Sequence, residues 1–525
     1  MRTVSLGAFL LVSGIQLIAG GPIQNLIDAT KPGDTVLIGA GVFIDVLTID
    51  KDMTLRGAGL GKTIIDAGKE FNVLLVAKGS KATLEGITFK SSNPTWLFGH
   101  EPRVPGGIIY SDGILRMTGC ELDGRSPAAD GYGGILSTGP VELTGSWLHD
   151  NYDLTLKGPW LAVSNCIVEG NHGYSGASGI HCLGRALIAD STIAHNSSPE
   201  YGAIHIEAGT NVVSIQRCTI LGNISGTGIS PGVINKGLLE MRGCLVSEQW
   251  DTSHAALANY GTATVSNTTF SKNTVSDHWL SYTAGIENYG TMTLRSVTVV
   301  SNSVMGGTEL TTRPGGGGIR NYNELHMENC LVAGNRAFIP GINPSGPYPG
   351  QDILGPVISE GHNLILNTND CIITGDITSN IYGKDPLLGP LQDNGGPTPT
   401  HALLPESPAI DAGNPALLGT LDQRGLPRAQ DGDGDGKGLP DIGAFEVLGR
   451  SIPVILPLVS EDPALFVALL VGEPTTTYRL DQSADITHPI WREVSRLTTD
   501  AGGFGRFTIS RNSREWENFF RAVKP

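Results

Sequence analysis

Charge is scarce in this chain, and basic charge is scarcest. Only 16% of its 525 residues are charged, with 35 Lys and Arg against 51 Asp and Glu and a net charge of −16. Typical soluble domains carry about a quarter charged residues. A nucleic acid or an anionic bilayer requires a basic footprint, so neither is an expected partner. Long apolar runs are missing beyond the first twenty residues. Val4 to Ala19, behind the lone Arg2, suits a signal-peptide core and is short for a spanning helix. Residues 1–20 are therefore expected to be a signal peptide cleaved around Ala19-Gly20-Gly21, leaving no transmembrane segment in the mature chain.

Glycine, by contrast, is abundant, with 71 residues, about twice the usual share. It fits tight corners, where φ is positive. Between Tyr132 and Arg336 one phrase returns: a glycine-rich turn, a strand, a second strand, then Gly-Asn or a relative. Val163-Ser-Asn-Cys-Ile-Val-Glu-Gly-Asn171, Ile215-Gln-Arg-Cys-Thr-Ile-Leu-Gly-Asn223 and Met327-Glu-Asn-Cys-Leu-Val-Ala-Gly-Asn335 are three copies. From Asn151, with Gln249 in the same slot, the closing residues are spaced by 20, 25, 27, 26, 24, 29 and 33. A period in the twenties that tolerates insertions marks a solenoid, and short alternating runs make each repeat one coil of a β-helix.

The repeat also explains the cysteines. Cys120, Cys166, Cys218, Cys244 and Cys330 fill one slot, which other coils give to Ser191, Thr268 or Val297. A slot shared by Cys, Ser, Thr and Val is small and inward-facing, so a buried, reduced ladder is expected rather than disulfides or a metal frame. The first strand of each coil has its own formula, as in Gly179-Ile-His-Cys, Ala203-Ile-His-Ile, Gly285-Ile-Glu-Asn and Gly318-Ile-Arg-Asn. The apolar residue points inward and the next points out. Asn235, Asn259, Asn288 and Asn321 at the following corner are placed to pass amide hydrogen bonds from coil to coil.

Pro22-Ile-Gln-Asn-Leu-Ile-Asp-Ala-Thr carries Ile23, Leu26 and Ile27 on one helical face, ahead of the strand-like runs Thr35-Val-Leu, Leu47-Thr-Ile and Met53-Thr-Leu. This beginning resembles pectin-lyase-like right-handed β-helix proteins, in which a short helix plugs the first coil. A plug is needed because an open coil end exposes apolar interior and unpaired backbone. Further on, Asn394-Gly-Gly-Pro-Thr-Pro-Thr-His, Ser407-Pro-Ala-Ile-Asp-Ala-Gly413, Asp422-Gln-Arg-Gly-Leu-Pro-Arg428 and Asp441-Ile-Gly-Ala-Phe-Glu446 resemble the choice-of-anchor Q domain of exported bacterial β-helix proteins. The resemblance implies an extracellular or bacterial cell-surface location and carries no catalytic assignment. After Gly449 the runs Thr477-Tyr-Arg-Leu, Trp491-Arg-Glu-Val, Gly505-Arg-Phe-Thr-Ile and Phe519-Phe-Arg-Ala-Val suggest a small β-sandwich. The expected fold is all-β: signal peptide 1–20, right-handed parallel β-helix 21–390 with its N-terminal capping helix, Q-like module 391–448 and C-terminal β-sandwich 449–525.

Chemistry is harder to locate. The motifs of polygalacturonase-like hydrolases are absent, and the fragments Asn171-His-Gly and Gly361-His-Asn lack the paired carboxylates that inversion requires. One outward strip stands out: His181, His205, Glu287 and Arg320 follow the inward apolar residue of their coils, and Glu207 lies two residues past His205. Such a strip suits glycan contact or acid–base work. It is expected to face solvent, with Glu287 and Arg320 a surface ion pair and His205→Ala nearly neutral for stability. Tyr174, Tyr201, Trp279, Tyr282 and Tyr322 are candidates to stack on sugar rings. Asp431, Asp433 and Asp435 alternate with glycine as in the first half of a calcium loop, with Asp441 in place of the missing terminal Glu. Structural Ca²⁺ and a solvated acidic turn both remain open for it.

Two functional classes stay open: a non-catalytic surface protein presenting its solenoid face for glycan binding or adhesion, which the missing motifs favour, and a divergent polysaccharide lyase or glycoside hydrolase acting on an acidic polysaccharide. A polysaccharide or cell-surface glycan is the expected partner, and a monomer the expected state.

Overall fold

The computed structural model describes residues 3–5, 21–68, 70, 72–91, 108–124, 133–152, 155–173, 177–199, 201–209, 211–226, 230–251, 254–276, 283–305, 316–338, 352–428, 430–448, 454–458, 465–472, 475–483, 490–500, 503–510 and 519–523. Short strands stack coil upon coil in parallel arrays, the arrangement of a parallel β-helix. One array runs from Leu47–Ile49 through Ile204–Ile206 to Ile319–Asn321 and carries the first strand of each coil. A second runs from Thr35–Leu37 to Cys371–Asp376, and the two merge where Leu156–Ser164 and Ile180–Ala189 pass through the corner without a break. A third, of 14 strands, runs from Gly41–Ile44 to Ile381–Tyr382. Period-two alternation decides which residues are inside. Ile204 and Ile206 enter a single core that extends from Ile23 to Ile365, while the residue between them faces away.

The helix Pro22–Ala29 buries Ile23 and Ile27 in that core. Its first amides have no partner within the helix. Asp45 provides one, accepting from Ile23 N at 2.9 Å and Gln24 N at 3.0 Å. A Cβ on Gly21 would fall 2.0 Å from the Asp45 carboxyl carbon, so only glycine fits there. Thr3–Ser5 pairs in parallel with Thr35–Leu37. The remainder of the stretch read as a signal peptide lies outside the described residues.

The corners explain the repeated asparagine. The residue before each closing Asn, and before Gln249 in the same slot, has positive φ: Asp150, Gly170, His195, Gly222, Glu248, Lys272, Ser301 and Gly334. This left-handed corner turns the chain, and the following amide then faces the next coil. Asn151, Asn171, Asn196 and Asn223 donate in sequence, Nδ2 to Oδ1, at 2.8, 2.8 and 3.0 Å, and on to Gln249 at 3.1 Å. The series resumes from Asn273 through Asn302 to Asn335 and ends on the Asp352 carboxylate at 2.9 Å. The second ladder, Asn235–Asn259–Asn288–Asn321, closes at 2.6, 2.7 and 2.7 Å as expected. All seven cysteines are free, and the five of the repeat slot are buried. Within their row Cys218 N donates to Cys244 Sγ at 3.5 Å, and Cys244 N to Thr268 Oγ1 at 3.3 Å.

After the last coils, a hairpin of Leu388–Gln392 and Thr400–Leu403 begins a segment lying on the outside of the third array. Thr269 Oγ1 donates to Gln423 Oε1 at 2.7 Å, Asn329 Nδ2 to Asp441 O at 2.9 Å, and Ala444 N to Thr298 Oγ1 at 2.9 Å. Val300, Leu331 and Leu364, which face outward from their coils, pack with Ile410, Ile442 and Phe445. At the centre is a buried ionic network. Arg424 meets Asp422 at 2.8 Å and lies over the Phe445 ring at 3.8 Å. Arg428 reaches Glu446 at 3.4 Å, Gly443 O at 2.8 Å and Asn267 Oδ1 at 3.0 Å. The Asp-Gln-Arg and Asp-Ile-Gly-Ala-Phe-Glu motifs therefore fasten this segment to the solenoid.

Two three-stranded antiparallel sheets follow, Val454–Leu458, Leu465–Val471 and Phe504–Ser510 in one, and Thr477–Ser483, Arg492–Thr498 and Phe519–Val523 in the other. They share a core of Ala468, Leu470, Tyr478, Leu480 and Phe507. The first two strands were not legible in the sequence. From the first sheet, Leu469, Val471 and Phe504 turn the other way and join Ile442 and Phe445.

Candidate functional site

The first array carries one continuous outward row. Strand register sets it as Tyr110, Leu136, Lys157, His181, His205, Ile234, Ala258, Glu287, Arg320. The strip expected from sequence is therefore two clusters, parted by Ile234 and Ala258. At about 4.8 Å per coil, His205 and Glu287 stand roughly 14 Å apart.

The first cluster is His181, His205 and Glu207. His181 Nε2 lies 2.8 Å from Glu207 Oε1, and His205 Nε2 lies 3.7 Å from the same oxygen. The imidazole centroids are 4.8 Å apart, and the Tyr201 ring sits 5.1 Å from that of His205. The expectation that this strip faces solvent is wrong for both histidines, since His205 is 0% exposed and His181 5%. The strand register is nevertheless correct, for Ile204 and Ile206 are the residues in the core. What the alternation does not reveal is that Tyr201, outside the array, packs against both imidazoles. Burial lowers the pKa of His181, against the effect of its hydrogen bond to the Glu207 carboxylate. It lowers that of His205 too, aided by the charges of His181 and Lys236. Burial opposes ionisation of Glu207, but the His181 hydrogen bond and the charges of His205 and His181 outweigh it, and its pKa falls.

Glu287 anchors the second cluster. It is 0% exposed, so it forms no surface ion pair with its register partner Arg320. Arg320 lies over the Tyr322 ring instead, at 4.6 Å. Burial pushes the Glu287 carboxyl up to about 7, against the pull of Arg320 and of the Tyr289 and Tyr322 hydroxyls. Burial, then the charge of Glu287, raises the Tyr289 phenol in turn. Tyr260, Tyr289 and Tyr322 form a stack with centroids 4.8 and 4.5 Å apart. The sequence reading missed this stack except for Tyr322, although its signal is plain: each tyrosine directly follows a ladder asparagine. Of the other aromatic candidates, Tyr174, Trp279 and Tyr282 lie outside the described residues. From the coil of Tyr110 to that of His181, Tyr110, Leu136, Ser137, Thr138, Pro159 and Leu183 line a pocket of about 380 Å³.

The acidic loop is only partly as expected. Asp431 and Asp433 approach each other, and the third carboxylate with them is Asp411, the ligand-type atoms lying within 4.8 Å. Asp411 also accepts from Gly432 N at 3.0 Å and Asp433 N at 3.1 Å. Asp435 turns instead to Lys437 N at 2.8 Å. Asp441 does not join the loop. Its carboxylate is buried and occupied by Asp411 N at 2.8 Å and Val447 N at 2.5 Å, and its pKa is raised by burial and by Glu446. Asp411 lies 20 residues before Asp431, and nothing in its local sequence marks it. Asp411, Asp431 and Asp433 offer the all-oxygen donors that a hard cation takes.

No family model and no curated protein matches this chain. Among solved structures, it is similar to a mannuronic-acid-specific polysaccharide family 6 lyase from the human gut microbiota, with 12% identity and a TM-score of 0.32 over 64% of this chain and 83% of that one. It is also similar to the A-module of the Azotobacter vinelandii mannuronan C-5 epimerase AlgE6, with 15% identity and a TM-score of 0.26 over 69% of this chain and 94% of that one.

Proposed function

We propose that this chain acts on an acidic polysaccharide laid along the outward row of the first array, by proton transfer at the Glu287 cluster. The observation that carries this reading is Glu287 itself, a buried carboxyl with a pKa near 7 beside Arg320, Tyr289 and Tyr322. Perturbed acids with specific charge partners concentrate where proton transfer occurs. In a β-elimination, the Arg320 guanidinium faces the uronate carboxylate and makes the neighbouring C–H more acidic. The proton leaves carbon for a tyrosine oxygen, whose own proton passes to Glu287. The C–O bond to the leaving sugar breaks, a C=C bond forms, and the leaving oxygen takes up a proton. Lys157 and Lys236, near the histidine cluster, supply further positive charge for an anionic chain.

The second reading is non-catalytic glycan binding, favoured by the full burial of Glu287 and His205. In either case the protein is exported to the bacterial surface or medium. Residues 391–448 then serve as the Q-type module that holds the C-terminal sandwich, with structural Ca²⁺ on Asp411, Asp431 and Asp433.

Incubation with a panel of acidic polysaccharides, read by ultraviolet absorbance of the unsaturated product, tests the reading. Product from the native protein that disappears with Glu287→Gln and Tyr289→Phe supports elimination. Absence of product together with retarded migration in polysaccharide gels, relieved by Arg320→Ala, transfers the assignment to binding. Neither cleavage nor binding overturns both.

A further inference from the structure

The three residues His181, His205 and Glu207 are arranged in a way that hydrogen bonding alone does not explain. His205 is fully buried, yet neither of its ring nitrogens has a hydrogen-bond partner, and His181 Nδ1 has none either. A neutral imidazole has one donor and one acceptor to satisfy, and burying both unpaired is unfavourable. Both Nε2 atoms instead converge on one oxygen, Glu207 Oε1, at 2.8 and 3.7 Å. Ligand atoms of all three residues lie within 4.8 Å of one another.

We propose that His181, His205 and Glu207 form a binding site for a divalent transition-metal ion of the zinc(II) type. Around such an ion, with bonds of about 2.0–2.1 Å, neighbouring tetrahedral ligands stand about 3.3–3.4 Å apart. The two observed separations bracket that value, so small side-chain movements bring the donors to bonding distance. Two imidazoles and one carboxylate select a borderline ion over Ca²⁺, which takes oxygen donors throughout. Neutral histidine is also the form that binds metal.

Three protein ligands leave a coordination position open, as in catalytic rather than structural zinc sites. Lys157 and Lys236 are the nearby cations. They oppose a bare cation, and they favour one whose open position holds an anionic group. The site is thus suited to an ion that carries hydroxide or the carboxylate of an acidic ligand. This inference rests on the donor geometry alone, and stands whether or not Glu287 performs elimination.

The test uses the full-length, untagged protein, stripped of metal by chelator and titrated with Co²⁺ and then Zn²⁺. The expected result is one Co²⁺ per chain with the visible absorption of a low-coordinate site, displaced by Zn²⁺. Glu207→Gln and His181→Ala should each weaken Co²⁺ binding by about 10–100-fold or more, the range seen when even supporting groups of metal sites are lost. Asp431→Asn, in the separate acidic loop, should leave the absorption unchanged. Circular dichroism establishes that the variants are folded, and Glu207→Gln, being partly exposed, is the one least disturbing to the core. No Co²⁺ or Zn²⁺ bound by the native protein at about 100 μM, an affinity too weak for a resident ion, overturns the proposal. So does binding that Glu207→Gln and His181→Ala leave intact.

Discussion

Replacing Asn196 with alanine tests the main structural device of the solenoid. Its side chain makes four buried hydrogen bonds. Oδ1 accepts from Asn171 N at 3.1 Å and Asn171 Nδ2 at 2.8 Å, while Nδ2 donates to Val168 O at 2.9 Å and Asn223 Oδ1 at 3.0 Å. At about 1 kcal/mol net for each bond, the loss is about 4 kcal/mol, a lower bound because the stranded Asn171 amide adds its own desolvation cost. Asn223→Ala removes the bond shared with Asn196, so the double variant should cost about 1 kcal/mol less than the sum of the singles. Urea unfolding of the four proteins, followed by circular dichroism, measures both quantities. A loss below about 1 kcal/mol for Asn196→Ala, or strict additivity, would refute the view that the ladder couples neighbouring coils.

Other outcomes follow from the buried groups. The folded pKa of Glu287, near 7, lies above its ordinary 4.5, so its contribution is fully present below pH 4.5 and is lost as pH rises through 7. Glu287→Gln should flatten that decline, whose full extent is on the order of 3 kcal/mol, and an unchanged pH profile of stability would exclude the buried carboxyl. Burial holds the Cys120 thiol up to about 11 and the Cys330 thiol up to about 12. A bulky thiol reagent should leave the whole ladder, Cys218 and Cys244 included, unlabelled until the protein unfolds; rapid labelling of the folded protein would contradict the packing. If Asp411, Asp431 and Asp433 hold Ca²⁺, chelation should open residues 431–438 to protease while the solenoid resists, since an ion bound only to the folded form stabilises it. Identical cleavage with and without chelator would leave the Asp-Gly run a solvated turn. Arg428→Ala leaves Glu446 buried without its cation, and a loss of about 3–5 kcal/mol in the docking of this segment is expected from differential proteolysis.

The sequence by itself determined the coil. Period-two alternation puts Ile204 and Ile206 inside, the Gly-Asn corner requires positive φ followed by a laddering amide, and a slot shared by Cys, Ser, Thr and Val must be small and buried. These are local rules repeated in every turn, so a short window contains them. It also placed His181, His205, Glu287 and Arg320 on one face, because register follows from the same period. Only the tertiary structure decided whether that face meets water. Alternation separates core from outside, but coverage by a neighbouring group such as Tyr201 depends on how the coils are connected in space. The same holds for Thr269, Val300 and Leu331, which face outward from the coil and are nevertheless buried under a segment far later in the chain. Asp411 joined the acidic loop, and Asp441 left it, for one reason: convergence of carboxylates is set by chain folding, and spacing along a loop does not determine it.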